Sequence, residues 1–263
     1  MIYKKTTILI LLTILITVTS YGQDKIFTEN EVKEFLFKGH KAKIVFPNNK
    51  NENNYWIWRA RFWGHQPQVD KALLKKGFHV VYIDVSNMFG NNEAVELWNE
   101  FYKYCTSEYR LNNKVVLEGM SRGGLIVYNW ASKNTDKVFC IYADAPVCDI
   151  KSWPGGMYSG KGDLKAWELC LKKYDLDTIT VKTYTNIPIN NAVNIAKANI
   201  PILHVYGDAD TVVPYKENTL LLAEIIKREG STIELIRKKG IGHQPHSLKD
   251  PQPIIDFILK NIK

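Results

Sequence analysis

The sequence predicts an α/β chain: a mostly parallel sheet flanked by helices, with an inserted lid segment after the sixth strand. Three observations predict it. Strand-like and helix-like stretches alternate along most of the chain, the rhythm of parallel strands joined by crossover helices. The strand candidate at 79–85, HVVYIDV, is apolar almost throughout, as expected when both faces of a sheet are covered. From 146 to about 197 the rhythm breaks, with Trp153-Pro-Gly-Gly156, Gly160-Lys-Gly162 and Asn186-Ile-Pro188 as loop signals around one predicted helix at 164–173.

In chain order, Lys4 and Lys5 precede an apolar run at 8–18 and the small residues Ser20 and Gly22. This is the pattern of a secretory leader cut between Gly22 and Gln23. The run is too short and too rich in threonine for a comfortable membrane span. The expectation is an exported chain, secreted or periplasmic, with 1–22 removed, no stable membrane anchor afterwards, and one domain over 23–263. Short strands at 34–37 and 43–46 flank Lys38-Gly39-His40 and read as an antiparallel hairpin. An aromatic strand follows at 55–59, then a helix at 66–76 that stops at Gly77. After the strand at 79–85 come a long amphipathic helix at 92–109, a strand at 114–118, a helix at 123–132 and a strand at 137–143. Beyond the insertion, strands at 201–206 and 232–237 alternate with helices at 215–229 and 252–260.

Composition narrows the function classes. Of 263 residues, 45% are hydrophobic, with 7 Trp, 14 Tyr and 10 Phe, enough for a sizeable core. The formal charge is +8; without the leader, 33 basic residues face 27 acidic ones, leaving +6. No long Lys/Arg run with interleaved aromatics accompanies that charge, so no nucleic-acid partner is expected. An acidic substrate or surface, or solubility alone, accounts for it. The cysteines Cys105, Cys140, Cys148 and Cys170 lack metal-ligand spacing. Cys140 reads as a buried free thiol, and a Cys148–Cys170 bridge inside the insertion is conceivable in an exported chain.

The strongest chemical signal is Gly119-Met120-Ser121-Arg122-Gly123, placed between a predicted strand and a predicted helix. Small neighbours allow a sharp turn that lifts the Ser121 hydroxyl above the sheet, and the Arg122 N–H then points at a developing oxyanion. A serine needs a base, and the base needs an orienting acid. Asp210 follows the strand at 201–206 and precedes Val-Val-Pro; Asp208 and Asp144 are its competitors. His243, after Gly240-Ile-Gly242, is the expected base, with His246 as rival and otherwise a substrate contact. The second oxyanion donor should come from the loop after 55–59, and by position the Arg61 N–H is chosen. Arg59, Arg61 and Arg122 would surround the mouth of the site, which suggests an anion on the substrate. The structural alternative has Arg122 paired with Glu118 or Asp144. Trp63 and Trp153 would stack on sugar rings, or else be core.

Gly-Met-Ser-Arg-Gly, the Gly-Asp-Ala-Asp-Thr-Val-Val-Pro turn and the late Gly-His resemble the α/β-hydrolase superfamily over nearly all of 23–263. More narrowly, Trp-Arg-Ala-Arg-Phe-Trp-Gly-His, Gly-Met-Ser-Arg-Gly-Gly and Trp-Pro-Gly-Gly look like secreted bacterial carbohydrate esterases of the pectin methylesterase-like kind. That resemblance implies a serine esterase acting on a methyl or acetyl ester of a uronic-acid-containing glycan. Its substrate would be a small-molecule or oligosaccharide ester, anionic in the uronate case, and its chemistry would need neither metal nor organic cofactor. A prolyl-oligopeptidase-like peptidase is the alternative; such enzymes usually carry a large extra domain, for which the mature chain has no room. A non-catalytic glycan-binding module is the third reading.

Overall fold

The computed structural model describes residues 24–262, so the leader assigned to 1–22 lies outside the described residues. Eight strands form one sheet: β1 (Val32–Phe37), β2 (His40–Val45), β3 (Trp56–Arg59), β4 (His79–Ile83), β5 (Val115–Met120), β6 (Val138–Asp144), β7 (Ile202–Gly207) and β8 (Ile233–Lys238). Their order is β1-β2-β4-β3-β5-β6-β7-β8. Pairs β1–β2 and β2–β4 are antiparallel, and every other pair is parallel. This is the α/β-hydrolase fold that the sequence predicts.

Among the described residues, seven α-helices flank the sheet: α1 (Gln68–Lys75), α2 (Asn92–Glu108), α3 (Gly123–Ala131), α4 (Leu164–Tyr174), α5 (Pro188–Lys197), α6 (Leu221–Arg228) and α7 (Gln252–Lys260). Strand alternation feeds two cores. On β3, Trp56 and Trp58 face one core while Ile57 faces the other; on β5, Val115 and Leu117 oppose Val116 in the same way. The larger core lies under α2, α3 and α5, where Trp58 stacks on Trp98 with ring centroids 3.9 Å apart. The smaller core lies under α1 and α7.

Three local outcomes refine the sequence reading. The hairpin turn is only Lys38-Gly39, both with positive φ, so the strands pair up to Phe37 and His40 and start earlier than read. The segment 146–197 divides in two. Its end, α5, begins with Pro188 at the first turn and packs against α3 and α6 as part of the helical layer. Only the stretch before it, with α4 and a 3-10 turn at Thr180–Thr183, covers the sheet edge. The helix read at 215–229 opens as a π turn (Lys216–Leu220). That turn presents two consecutive side chains to the covering segment. Glu217 accepts from the Ser152 and Ser159 hydroxyls, and Asn218 accepts from the Cys148 N–H and donates to Ser152 Oγ. All four cysteines are buried free thiols, so the conceivable Cys148–Cys170 bridge does not form. No helix among the described residues is long and apolar enough to cross a membrane.

Candidate active site

Ser121 occupies the turn between β5 and α3 with φ of +50°, a left-handed conformation that costs a side-chain-bearing residue roughly 1–3 kcal/mol. Its own backbone holds it there. The Ser121 N–H donates to the Asp144 carbonyl (2.9 Å), and its carbonyl accepts from the N–H groups of Gly124 (3.0 Å) and Val147 (2.9 Å). The bare Gly124 is required for this closure: a Cβ there would sit 2.7 Å from Pro146 Cβ and from the Val147 carbonyl. The sequence signal for it was the second glycine of Gly123-Gly124, which the G-x-S-x-G pattern does not include.

His243 and Asp210 arrive from the ends of neighbouring parallel strands. His243 Nε2 lies 2.9 Å from Ser121 Oγ, and its Nδ1 lies 2.7 Å from Asp210 Oδ2. The other oxygen, Asp210 Oδ1, accepts from the N–H groups of Val212 (2.8 Å) and Val213 (2.9 Å), which fixes the carboxylate plane. A proton on Nδ1 facing the carboxylate leaves Nε2 free to take the serine proton. The competing acids have other work. Asp208 pairs with Arg237 and accepts from the Gly240 N–H (2.6 Å), shaping the histidine loop. Asp144 is fully buried, accepts from the Ser247 N–H (2.7 Å), and is pushed up to about 6 by burial. Asp210→Asn is expected to lower kcat by about 10⁴-fold through the wrong imidazole tautomer, and Asp208→Asn by less than about ten-fold; steady-state kinetics of the two variants check this.

The oxyanion candidates adjoin the same start of α3. The Arg61 backbone N lies 3.8 Å from the Cβ position of Gly123, one residue past Arg122, and neither Arg61 N–H nor Arg122 N–H donates to any group among the described residues. The Arg61 side chain turns to the Ser86 hydroxyl, which itself binds Asp84. The Arg122 guanidinium lies over both the Phe89 ring (5.7 Å) and the Trp153 ring (5.5 Å), so Trp153 packs beside the residue that follows Ser121. The pairing of Arg122 with Glu118 or Asp144 does not occur.

Three assigned substrate contacts are corrected. Arg59 is 1% exposed: its Nη1 donates to Asp70 (2.5 Å) and Glu118 (3.0 Å), its Nε to the carbonyls of Arg61 and Phe62, and its Nη2 to the His65 carbonyl. It organises the loop carrying Arg61 from below and faces no opening. Burial and neighbouring Asp70 push Glu118 above the usual carboxylate range, while Arg59 bridges both carboxyl groups. Trp63 donates its indole N–H to Asp24 (2.8 Å) and packs on Phe27 and Tyr82, away from Ser121. His246 is 3% exposed and packs edge-on against His243 (4.8 Å) and His65 (5.5 Å), a wall behind the catalytic imidazole. Among the described residues no cluster of three or more His, Cys, Asp or Glu could hold a metal ion.

Buried histidines give the protein an acid-sensitive side. Burial lowers His204 to about 3, His246 to about 3 and His79 to about 4. Unfolded, each takes a proton near its usual 6.5. Between those values the unfolded chain binds more protons, so each histidine removes stability as pH falls, by about 1.4 kcal/mol per pH unit. Asp144 and Glu118, shifted upward, offset part of this. His204→Gln is therefore expected to flatten the fall in stability between pH 6 and pH 4.5, read from urea unfolding; an unchanged slope contradicts it.

A family model described as the prolyl oligopeptidase family matches residues 82–263. No curated protein matches the chain. Among solved structures, the acylaminoacyl peptidase of Pyrococcus horikoshii is similar with a TM-score of 0.65 at 15% identity, over 89% of this chain and 42% of that one. A putative dipeptidyl aminopeptidase IV from Bacteroides ovatus gives 0.66 at 13% identity, over 89% and 36%. An acylaminoacyl peptidase in complex with Z-Gly-Gly-Phe-chloromethyl ketone gives 0.62 at 16% identity, over 82% and 38%. At such identities the likeness is one of fold, and the chain spans about two-fifths of the length of these structures.

Proposed function

The chain belongs to the prolyl oligopeptidase family of serine hydrolases, and from that premise we propose that it is a serine peptidase acting on small peptides. The family match overturns the reading as a carbohydrate ester hydrolase; the peptidase alternative takes its place. One observation carries the proposal: within the matched residues, Ser121, His243 and Asp210 form a continuous hydrogen-bonded relay.

In this reading Ser121 Oγ attacks the scissile amide carbonyl while His243 Nε2 takes its proton. Asp210 holds the imidazole in the required tautomer and stabilises the imidazolium. The N–H groups of Arg122 and Arg61 receive the oxyanion. As the C–N bond breaks, His243 returns the proton to the leaving amine; water, deprotonated by the same histidine, then releases the acyl group and restores Ser121. The leader pattern around Lys4, Lys5 and the apolar run at 8–18 supports an exported location, secreted or periplasmic, for this activity.

The test is hydrolysis of a panel of N-acylated and free-amino peptides, including aminoacyl-proline amides, beside simple esters and acetylated or methylated glycans. Ser121-dependent release of amines from the peptides is the expected result. Cleavage of esters without any peptide cleavage overturns the reading.

A further inference from the structure

We propose that the Arg122 guanidinium, with Arg61 beside it, is a subsite for a carboxylate carried by the substrate; the acyl donor's identity rests on the peptidase reading, the anion site itself does not. Arg122 immediately follows the nucleophile, and its guanidinium lies over the adjoining rings of Phe89 and Trp153, themselves 6.3 Å apart. It makes no ion pair and no side-chain hydrogen bond among the described residues. The acidic groups that act on it, Asp163 and Asp84, do so only through space. Asp84 is already engaged by Ser86, which in turn receives the Arg61 side chain. Burial and the charge of Arg61 lower Arg122 to about 10, so the cation is destabilised where it stands.

A half-buried guanidinium without an anion is an unfavourable arrangement unless the arrangement is completed by what binds there. The two rings cover its neighbourhood with apolar surface, which strengthens any charge pair formed inside. Its planar N–H donors match a carboxylate in bidentate fashion. Arg61 stands close enough to repel it, so a second positive charge reinforces the same sign of ligand. Because Arg122 directly follows Ser121 in the chain, a carboxylate held there would belong to a residue near the scissile bond. Two sources fit: an acidic side chain on the acyl-side residue, or the free terminal carboxylate of the leaving residue.

Two measurements on the full chain test this. In the first, N-acetylglutamate and N-acetylglutaminamide compete with a fluorophosphonate for Ser121. Selective slowing of labelling by the acid, by about ten-fold or more, and its loss in Arg122→Gln, is expected. Equal effects of the two compounds, or selectivity that survives in Arg122→Gln, overturns the subsite. In the second, kcat/KM is compared for acetyl-Ala-Ala-Ala-amide, its free acid, and acetyl-Ala-Glu-Ala-amide. A preference of roughly ten- to a hundred-fold for one acidic peptide identifies the source of the carboxylate, and Arg122→Gln should collapse that ratio. Cleavage of all three at equal rates overturns the subsite while leaving the peptidase reading intact. Selective protection without cleavage of any peptide removes the peptidase reading and keeps the anion site.

Discussion

Ser121→Ala is expected to lose at least about a thousand-fold in kcat, with KM little altered and all fluorophosphonate labelling abolished. The size follows from position. Removing the oxygen 2.9 Å from His243 Nε2 eliminates covalent catalysis outright and leaves only oxyanion stabilisation and substrate binding. The three side chains act as a unit, so Ser121→Ala combined with His243→Ala should be no slower than Ser121→Ala alone. A double variant slower by another large factor would mean that the imidazole does independent chemistry. Retention of more than a tenth of the activity in Ser121→Ala would place the nucleophile elsewhere. The variant is also expected to fold as well as the parent, because alanine keeps the backbone bonds to Asp144, Gly124 and Val147.

Arg59→Met is the second large effect, and it concerns stability first. The guanidinium is buried with Asp70 and Glu118, themselves fully buried. Removing it leaves two buried carboxyl groups without their guanidinium partner, a loss of about 3–5 kcal/mol. Glu118→Gln should cost far less, under about 1 kcal/mol, because burial already favours a neutral Glu118 and the amide has the same shape. Urea unfolding of the two variants gives the comparison. Equal losses would mean that an amide cannot stand in for the Glu118 carboxyl in this cluster. Any surviving activity of Arg59→Met should show a lower kcat rather than a selective loss on anionic substrates. Its four contacts to backbone carbonyls and Asp70 shape the Arg61 loop from inside.

The fold and the relay were legible because they depend on local, periodic signals. Gly119-Met120-Ser121-Arg122-Gly123 carries its meaning in five consecutive residues flanked by a strand and a helix. Asp210 and His243 follow strand ends, and strand ends on a parallel sheet converge on one edge. Arg59 misled for a related reason. It too stands at a strand end, but on a central strand both faces are covered, so its side chain entered the sheet–helix layer. Its partners lie 11 and 59 residues away, and no spacing rule joins them. His246 misled because it stands only three positions after His243, yet it is buried and packs edge-on behind that ring. Trp63 and Trp153 suggested sugar stacking because they sit in loops at the predicted catalytic edge. Trp63 is in fact tied to Asp24 by its indole. The substrate class, which depends on where side chains point, was correspondingly the least readable property.

The stitch made by Glu217 and Asn218 has a mechanical consequence. Because the two residues grip 148–159 at Cys148, Ser152 and Ser159, the stem of the cover and the turn bearing Asp210 travel as one piece. A door hung on that stem would drag the carboxylate out of register with His243 each time it swung. An opening of the cover that spares the acid, the imidazole and the hydroxyl would therefore have to lie outside this stitched stretch.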